Sequence, residues 1–164
     1  MKHHQYNARI TWTGNRGTGT RDYKSYERNH EIAVNGKPTI EGSSDSAFRG
    51  DPAKHTPEDF LVSSLSTCHM LWYLHVCAVN SIIVTNYIDN AFGVMEENKD
   101  GSGQFIGVTL NPIVTVETSS MVEKAIKLHH EAHKMCFISR SVNFDVQHKP
   151  HVSAAVSKAD SIAV

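Results

Sequence analysis

Three cysteines carry the sharpest chemical signals in this chain. Cys68 falls midway along a run that reads as one long helix, and Cys136 falls just past the end of a second helix. Cys77 lies nine residues beyond Cys68. At about 100° per residue it faces nearly the opposite side of the same helix, so those two sulfurs cannot bond within a straight rod. Cys68 and Cys136 can meet if the two helices pack together. The odd number leaves at least one thiol free within the chain. In a reducing compartment a cysteine is catalytic, metal-binding or simply buried rather than a structural staple. On an apolar helix a cysteine taken alone is more often inert core than nucleophile, and Cys77 is read that way.

Eleven histidines raise the question of a metal. His129 and His133 are four apart, Cys136 follows three later, and His75 or His69 could complete a zinc set. His130-Glu131 opens like a zinc-protease motif, but Lys134 stands where the second histidine is required, so the motif fails. Zinc would also hold Cys136 as a bound thiolate and block any disulfide. Surface histidines on a helix are the preferred reading.

The elements that must position these groups follow from the chain. Residues 6–13 are β-branched and aromatic and predict a strand. The Gly14–Thr20 loop is glycine-rich, but a strand-like run from Tyr23 to about Val34 follows it where a phosphate cradle needs a helix, so it reads as a hairpin connection. Residues 35–56 predict a long connection with one short strand near Thr39-Ile40. Thr56-Pro57-Glu58-Asp59 is a helix start: a cap, a proline at the first helical position, and two acids at the positive end. The helix is expected to run to about Asn80, weakly polar on every side and therefore central. Its apolar rows are Leu61, Leu65, Cys68, Trp72, His75, Val79 and Phe60, Ser64, Thr67, Leu71, Leu74, Ala78. Residues 82–95 and 104–117 predict a hairpin across the turn at Lys99–Gly103. Ser119 or Ser120 starts a second helix ending near Lys134, Val142–Val146 is a last strand, and the tail from Ser153 is expected to fray. This order gives an α+β domain.

A nucleophilic Cys68 needs help. A free thiol titrates near 8.5, so only a few per cent is thiolate at neutral pH. The helix dipole fades within its first turn, and burial raises the thiol further. A cation must stand beside it.

Glu58 lies ten residues before Cys68, within Thr56-Pro57-Glu58-Asp59, and Cys136 closes the later run Ala132-His133-Lys134-Met135-Cys136, 68 residues beyond Cys68. Ahead of both stands Ile10-Thr11-Trp12-Thr13-Gly14 with its Gly/Thr-rich loop. Order and spacing together resemble the OsmC/Ohr family of organic hydroperoxide reductases, over roughly residues 6–150. The resemblance implies an OsmC-like α+β fold, with antiparallel sheets around long central helices in an intertwined homodimer. It implies a thiol peroxidase in which Cys68 attacks the peroxide and becomes a sulfenic acid, Cys136 condenses with it to a disulfide, and an external dithiol or lipoylated protein reduces the pair. No bound cofactor and no metal are implied. The cation is an arginine held by the helix-start glutamate: Glu58 matches the glutamate, and Arg49 is the best match for the arginine, with Arg16 and Arg21 as competitors. Ten helical residues span about 15 Å, so Glu58 cannot reach Cys68 of its own helix but could serve a partner chain whose helix runs antiparallel. Two departures stand out. Phe137 follows Cys136 where the family often has proline, and His69-Met70-Leu71-Trp72-Tyr73 is bulkier than usual. Phe60, Leu65, Met70, Leu71, Trp72 and Phe137 are apolar walls suited to a greasy hydroperoxide. The alternative is a non-catalytic binding protein of the same fold, holding a small apolar ligand at the dimer interface.

The 164 residues suggest one domain over 1–164 with its core at about 6–150. Sixteen basic against seventeen acidic side chains disfavour a nucleic-acid partner. No apolar run approaches the roughly 18 residues of a membrane span, and the start lacks the apolar stretch of a secretory signal. A cytoplasmic protein is expected.

Overall fold

The long helix forms where the sequence places it. α1 spans Pro57–Val79. Thr56 Oγ1 accepts from the Asp59 N–H at 3.2 Å while Asp59 Oδ2 accepts from the Thr56 N–H at 2.9 Å, so each backbone donor is satisfied by the other residue's side chain. At the other end Ile82 N donates to Cys77 O at 2.9 Å and Ser81 N to Ala78 O at 3.2 Å. That is a Schellman stop, and Ser81 takes the left-handed conformation usually given to glycine, with φ 58°.

The computed structural model describes residues 1–156. They form two compact units, Met1–Leu61 and the chain from Val62 onward. The first unit holds an antiparallel sheet of β1 (Arg9–Trp12), β2 (His30–Ala33) and β3 (Ile40–Gly42), in that order. The strand expected from Tyr23 begins only at His30. Before it the backbone curls around Arg28, whose guanidinium lies 4.2 Å over the Tyr23 ring and 4.3 Å over Tyr26. The same guanidinium donates to the Tyr23 and Tyr26 carbonyls. Gly14 is required by a close approach: a Cβ there would stand 2.0 Å from Glu27 O.

The second unit corrects the expected hairpin. The first run breaks into β4 (Val84–Asp89) and β5 (Phe92–Glu97), and the returning run into β6 (Gly103–Leu110) and β7 (Pro112–Val116). The last segment likewise gives β8 (Asp145–His148) and β9 (His151–Ala154). Two sheets result, β4-β7-β9 and β5-β6-β8. They are mixed rather than wholly antiparallel, because β7–β9 and β6–β8 run parallel. All three runs break at one level. Asp89 Oδ1 takes the Asn111 N–H at 2.7 Å, Asp89 Oδ2 takes the Ser66 hydroxyl at 2.6 Å, and Lys149 N donates to Leu110 O at 2.8 Å. Pro112 and Pro150 follow directly and cannot donate to a ladder. Ser153 and Ala154 belong to β9, so fraying does not begin there; residues 157–164 lie outside the described residues.

α2 (Val122–Met135) follows a short 3-10 turn at Ser119–Met121. It buries Ala125, Leu128, His129 and Ala132, one helical stripe. α1 answers with Leu65, His69, Tyr73 and Cys77, spaced by four. By length and composition alone α1 is apolar enough to cross a membrane, but here this stripe packs against α2 as a core helix does. Within the single chain only this one stripe is buried. Of Leu61, Leu65, Cys68, Trp72, His75 and Val79 only Leu65 is fully buried, and on the open side Leu71 is 59% exposed. Two polar aromatic side chains, His69 and Tyr73, take the interior because each finds a partner on α2 there.

Candidate functional site

Cys68 and Cys136 come together. Cys68 is half-buried on α1, Cys136 is buried as the C-terminal cap of α2, and both are free thiols, close enough for Cys136 to act on the Cys68 thiol. The chain leaving α2 wraps them with backbone donors. Ser139 N donates to Cys136 Sγ at 3.4 Å, and the N–H groups of Ile138 and Phe137 act on Cys68. Burial pushes the Cys68 thiol up, and the shared hydrogen bond with Cys136 pushes it further, while the two N–H groups oppose both by favouring the thiolate. These backbone donors were not foreseen from sequence. Phe137 was legible as an apolar wall and as an absent proline, and that departure is what supplies one of the N–H groups.

Helix geometry extends the site along α1. Leu71, Trp72 and His75 lie one and two turns beyond Cys68 on the same face and line a cavity of about 250 Å³. Phe137, 68% exposed, stands edge-on to Trp72 with ring centroids 5.6 Å apart. The cavity wall is almost wholly carbon, which suits an apolar ligand. Cys77 lies on the buried side, where burial raises its thiol and Tyr73 shares a hydrogen bond with it.

The charged candidates lie in the first unit and the first turn of α1. Arg49 ends a 3-10 turn at Ser46–Phe48 in the left-handed conformation, φ 66°. With Arg16, Glu27, Arg28, Asn29, Gly50 and Asp51 it lines a polar cavity of about 230 Å³. Arg16 is held by Glu27, through Nε at 3.0 Å and a second contact from its terminal nitrogen, and Arg21 lies exposed in the loop before β2. Among the described residues Glu58 Oε2 is buried with no hydrogen-bond partner.

The histidines depart from the expected surface role. His129 and His69 are 0% exposed and bonded to each other, Nδ1 to Nε2, at 3.0 Å. His75 instead packs edge-on against Trp72. Among the described residues no group of three or more histidine, cysteine or acidic side chains is arranged to hold a metal ion.

The comparisons agree with this architecture. No curated protein matches the chain. Among solved structures, an OsmC-like protein of unknown function from Vibrio cholerae O1 biovar eltor is 30% identical, with a TM-score of 0.81, covering 91% of this chain and 100% of that one. Organic hydroperoxide resistance proteins from Legionella pneumophila and Elizabethkingia anophelis are each 17% identical, with TM-scores of 0.68 and 0.66. They cover 93% and 94% of this chain and 99% of their own, and at that identity they attest the fold. The family of OsmC-like proteins matches residues 50–150, the stretch that contains α1, α2, strands β4 to β8, Cys68 and Cys136, and this chain belongs to that family.

Proposed function

We propose that this chain is a thiol-dependent peroxidase that reduces organic hydroperoxides to alcohols, working in a reducing compartment, the cytoplasm. The observation that carries the reading is the contact between two free thiols from different helices, beside an apolar cavity. The Cys68 thiolate attacks the distal peroxide oxygen; the O–O bond breaks, the alkoxide leaves and is protonated to the alcohol, and Cys68 becomes a sulfenic acid. The Cys136 thiol then attacks that sulfur, water leaves, and a Cys68–Cys136 disulfide forms. An external dithiol, free or carried on a lipoylated protein, takes up the oxidation and restores both thiols. Two of the solved relatives are named organic hydroperoxide resistance proteins, which supports this substrate class.

The resting thiol is pushed up, so activation needs more than two N–H groups. In this proposal Arg49 supplies the charge and Glu58 orients it. Glu58 lies too far along its own helix to serve the same chain's Cys68, so the site is completed in a homodimer with antiparallel α1 helices. The unpartnered Glu58 oxygen and the exposed Leu71 and Phe137 support a missing neighbour.

Thiol titration before and after one equivalent of cumene hydroperoxide tests the cycle. Loss of two thiols per chain is expected, and no loss defeats the reading. Cys136→Ser should complete one turnover and accumulate Cys68 sulfenic acid. Sedimentation should show a dimer; a monomer with full activity would contradict the shared site. The second reading, a binding protein for a small apolar ligand, is favoured by the raised Cys68 thiol and the carbon-walled cavity. It requires neither thiol to change on exposure to peroxide.

A further inference from the structure

Four histidines from three elements gather behind the thiol pair: His69 of α1, His129 and His133 of α2, and His148 of β8. The His69 and His129 rings stack with centroids 5.3 Å apart, His69 and His148 lie at 5.5 Å, and His133 and His148 at 5.0 Å. Tyr73 covers the far face of His129 at 3.8 Å and anchors α1 to α2 by donating its hydroxyl to Ala125 O. One N–H···N bond joins His69 to His129, while His69 Nδ1, His129 Nε2 and His133 Nδ1 are buried with no partner among the described residues.

That bond needs an N–H on one ring and a lone pair on the other. A proton added to His69 Nδ1 or His129 Nε2 creates a buried cation whose new N–H meets no acceptor. A proton on each leaves two donors facing across 3.0 Å. The groups that face the quartet do not relieve this. His130 faces His133 and His148 and opposes a charge on either, and among the described residues Asp145 at the start of β8 is the carboxylate that acts on the set, on His133.

We propose that the His69–His129–His133–His148 quartet is a proton-operated latch: neutral, it clamps α2 to α1; protonated, it releases α2 and separates Cys136 from Cys68. The coupling to the thiols is short. His69 follows Cys68 directly, and the Cys136 N–H donates to His133 O at 3.2 Å. The latch rests on packing alone and is independent of what the thiols do.

The direction follows from linkage. Burial is the first cause that lowers all four, taking His69 to about 4 and His129 to about 3, with the neighbouring histidines adding to it. The open form therefore binds more protons between those values and the ordinary value near 6.5, so closure is fully favoured above about pH 6.5 and is lost as the pH falls through that window. Between pH 7.5 and 5 the closed-to-open ratio should fall roughly 30-fold for each of His69 and His129.

The test uses the reduced full chain. Labelling of Cys136 by 4,4′-dithiodipyridine, taken relative to a small thiol at the same pH and located by mass spectrometry, should rise more than tenfold from pH 7.5 to 5. The rise should vanish in His69→Gln/His129→Gln and persist in His151→Gln, an exposed histidine outside the quartet. An equal rise in the double variant overturns the latch. Should that variant not fold, proton NMR of the unaltered chain decides. The quartet's ring signals should hold steady above pH 6.5 and then change together with the labelling. Independent titration of each near 6.5 with the fold intact overturns the proposal, as does a bound metal ion holding these rings.

Discussion

Two neighbours on α1 lead opposite lives. Cys68 turns toward Cys136 and the open side; His69 turns toward His129 and the interior. Each contact joins α1 to α2 or its end, and each puts a titratable group out of water. Burial moves them in opposite directions, the thiol up and the imidazole down, because in both it penalises the charged form. Cys68 and His69 are therefore both pushed toward their neutral forms. The difference lies in the surroundings. The thiols are met by backbone N–H donors that favour an anion, whereas the imidazoles have buried nitrogens with no hydrogen-bond partner among the described residues. One site is prepared for charge and the other is built against it.

The largest expected effect removes the chemistry and leaves the scaffold. Cys68→Ser should abolish turnover of cumene hydroperoxide with a dithiol, a loss of at least about a thousandfold, because a serine hydroxyl is scarcely ionised at neutral pH. Its urea midpoint should move little, since the half-buried thiol leaves no large cavity. Retained turnover would assign the chemistry to another group; a collapse in stability would show that the thiol side also holds the helices together.

Tyr73 and Leu71 sharpen the same contrast from the packing side. Tyr73 is fully buried, stacked on His129 and bonded to Ala125. Tyr73→Ala should cost about 3–5 kcal/mol through the cavity it leaves. Leu71 is 59% exposed in the single chain, so Leu71→Ala should change the stability of a monomer by no more than about 0.5 kcal/mol. If the open face is a dimer interface, Leu71→Ala should instead raise the dimer dissociation constant, measured by sedimentation over a dilution series. Unchanged association would remove Leu71 from that interface.

How much of this was legible follows from the range of the signals. The start of α1 was readable because a cap, a proline and two acids sit in four consecutive residues. The Cys68–Cys136 approach was readable as a possibility through helix phase and family spacing. The broken strands were not, because the break depends on Asp89 bonding Asn111 and Ser66 at distances of 22 and 23 residues along the chain. Which stripe of α1 meets α2 was not readable, because hydropathy ranks His69 and Tyr73 below Leu71 and Val79. Partners on α2 bond one nitrogen of His69 and the Tyr73 hydroxyl, and no local pattern reports those partners. His148 carried no signal at all until β8 brought it beside His133.

The smallest expected effect isolates a single N–H. Phe137 donates toward Cys68, and proline would delete that donor. The backbone tolerates the change, because Cys136 already has φ −68° and ψ 109°, the extended conformation that a residue before proline prefers. Phe137→Pro also removes the ring that meets Trp72, so Phe137→Ala is the reference: it loses the ring and keeps the N–H. Measured as the pH dependence of Cys68 alkylation, the proline variant should lie about 0.5–1 pH unit above the alanine variant, leaving roughly three- to tenfold less thiolate at neutral pH. The Ile138 N–H, the larger of the two influences, remains in both and keeps the shift modest. Coincident profiles would mean that the loop after α2 places the thiols without favouring their charge. The contrast between the two sides of α1 would then reduce to exposure alone.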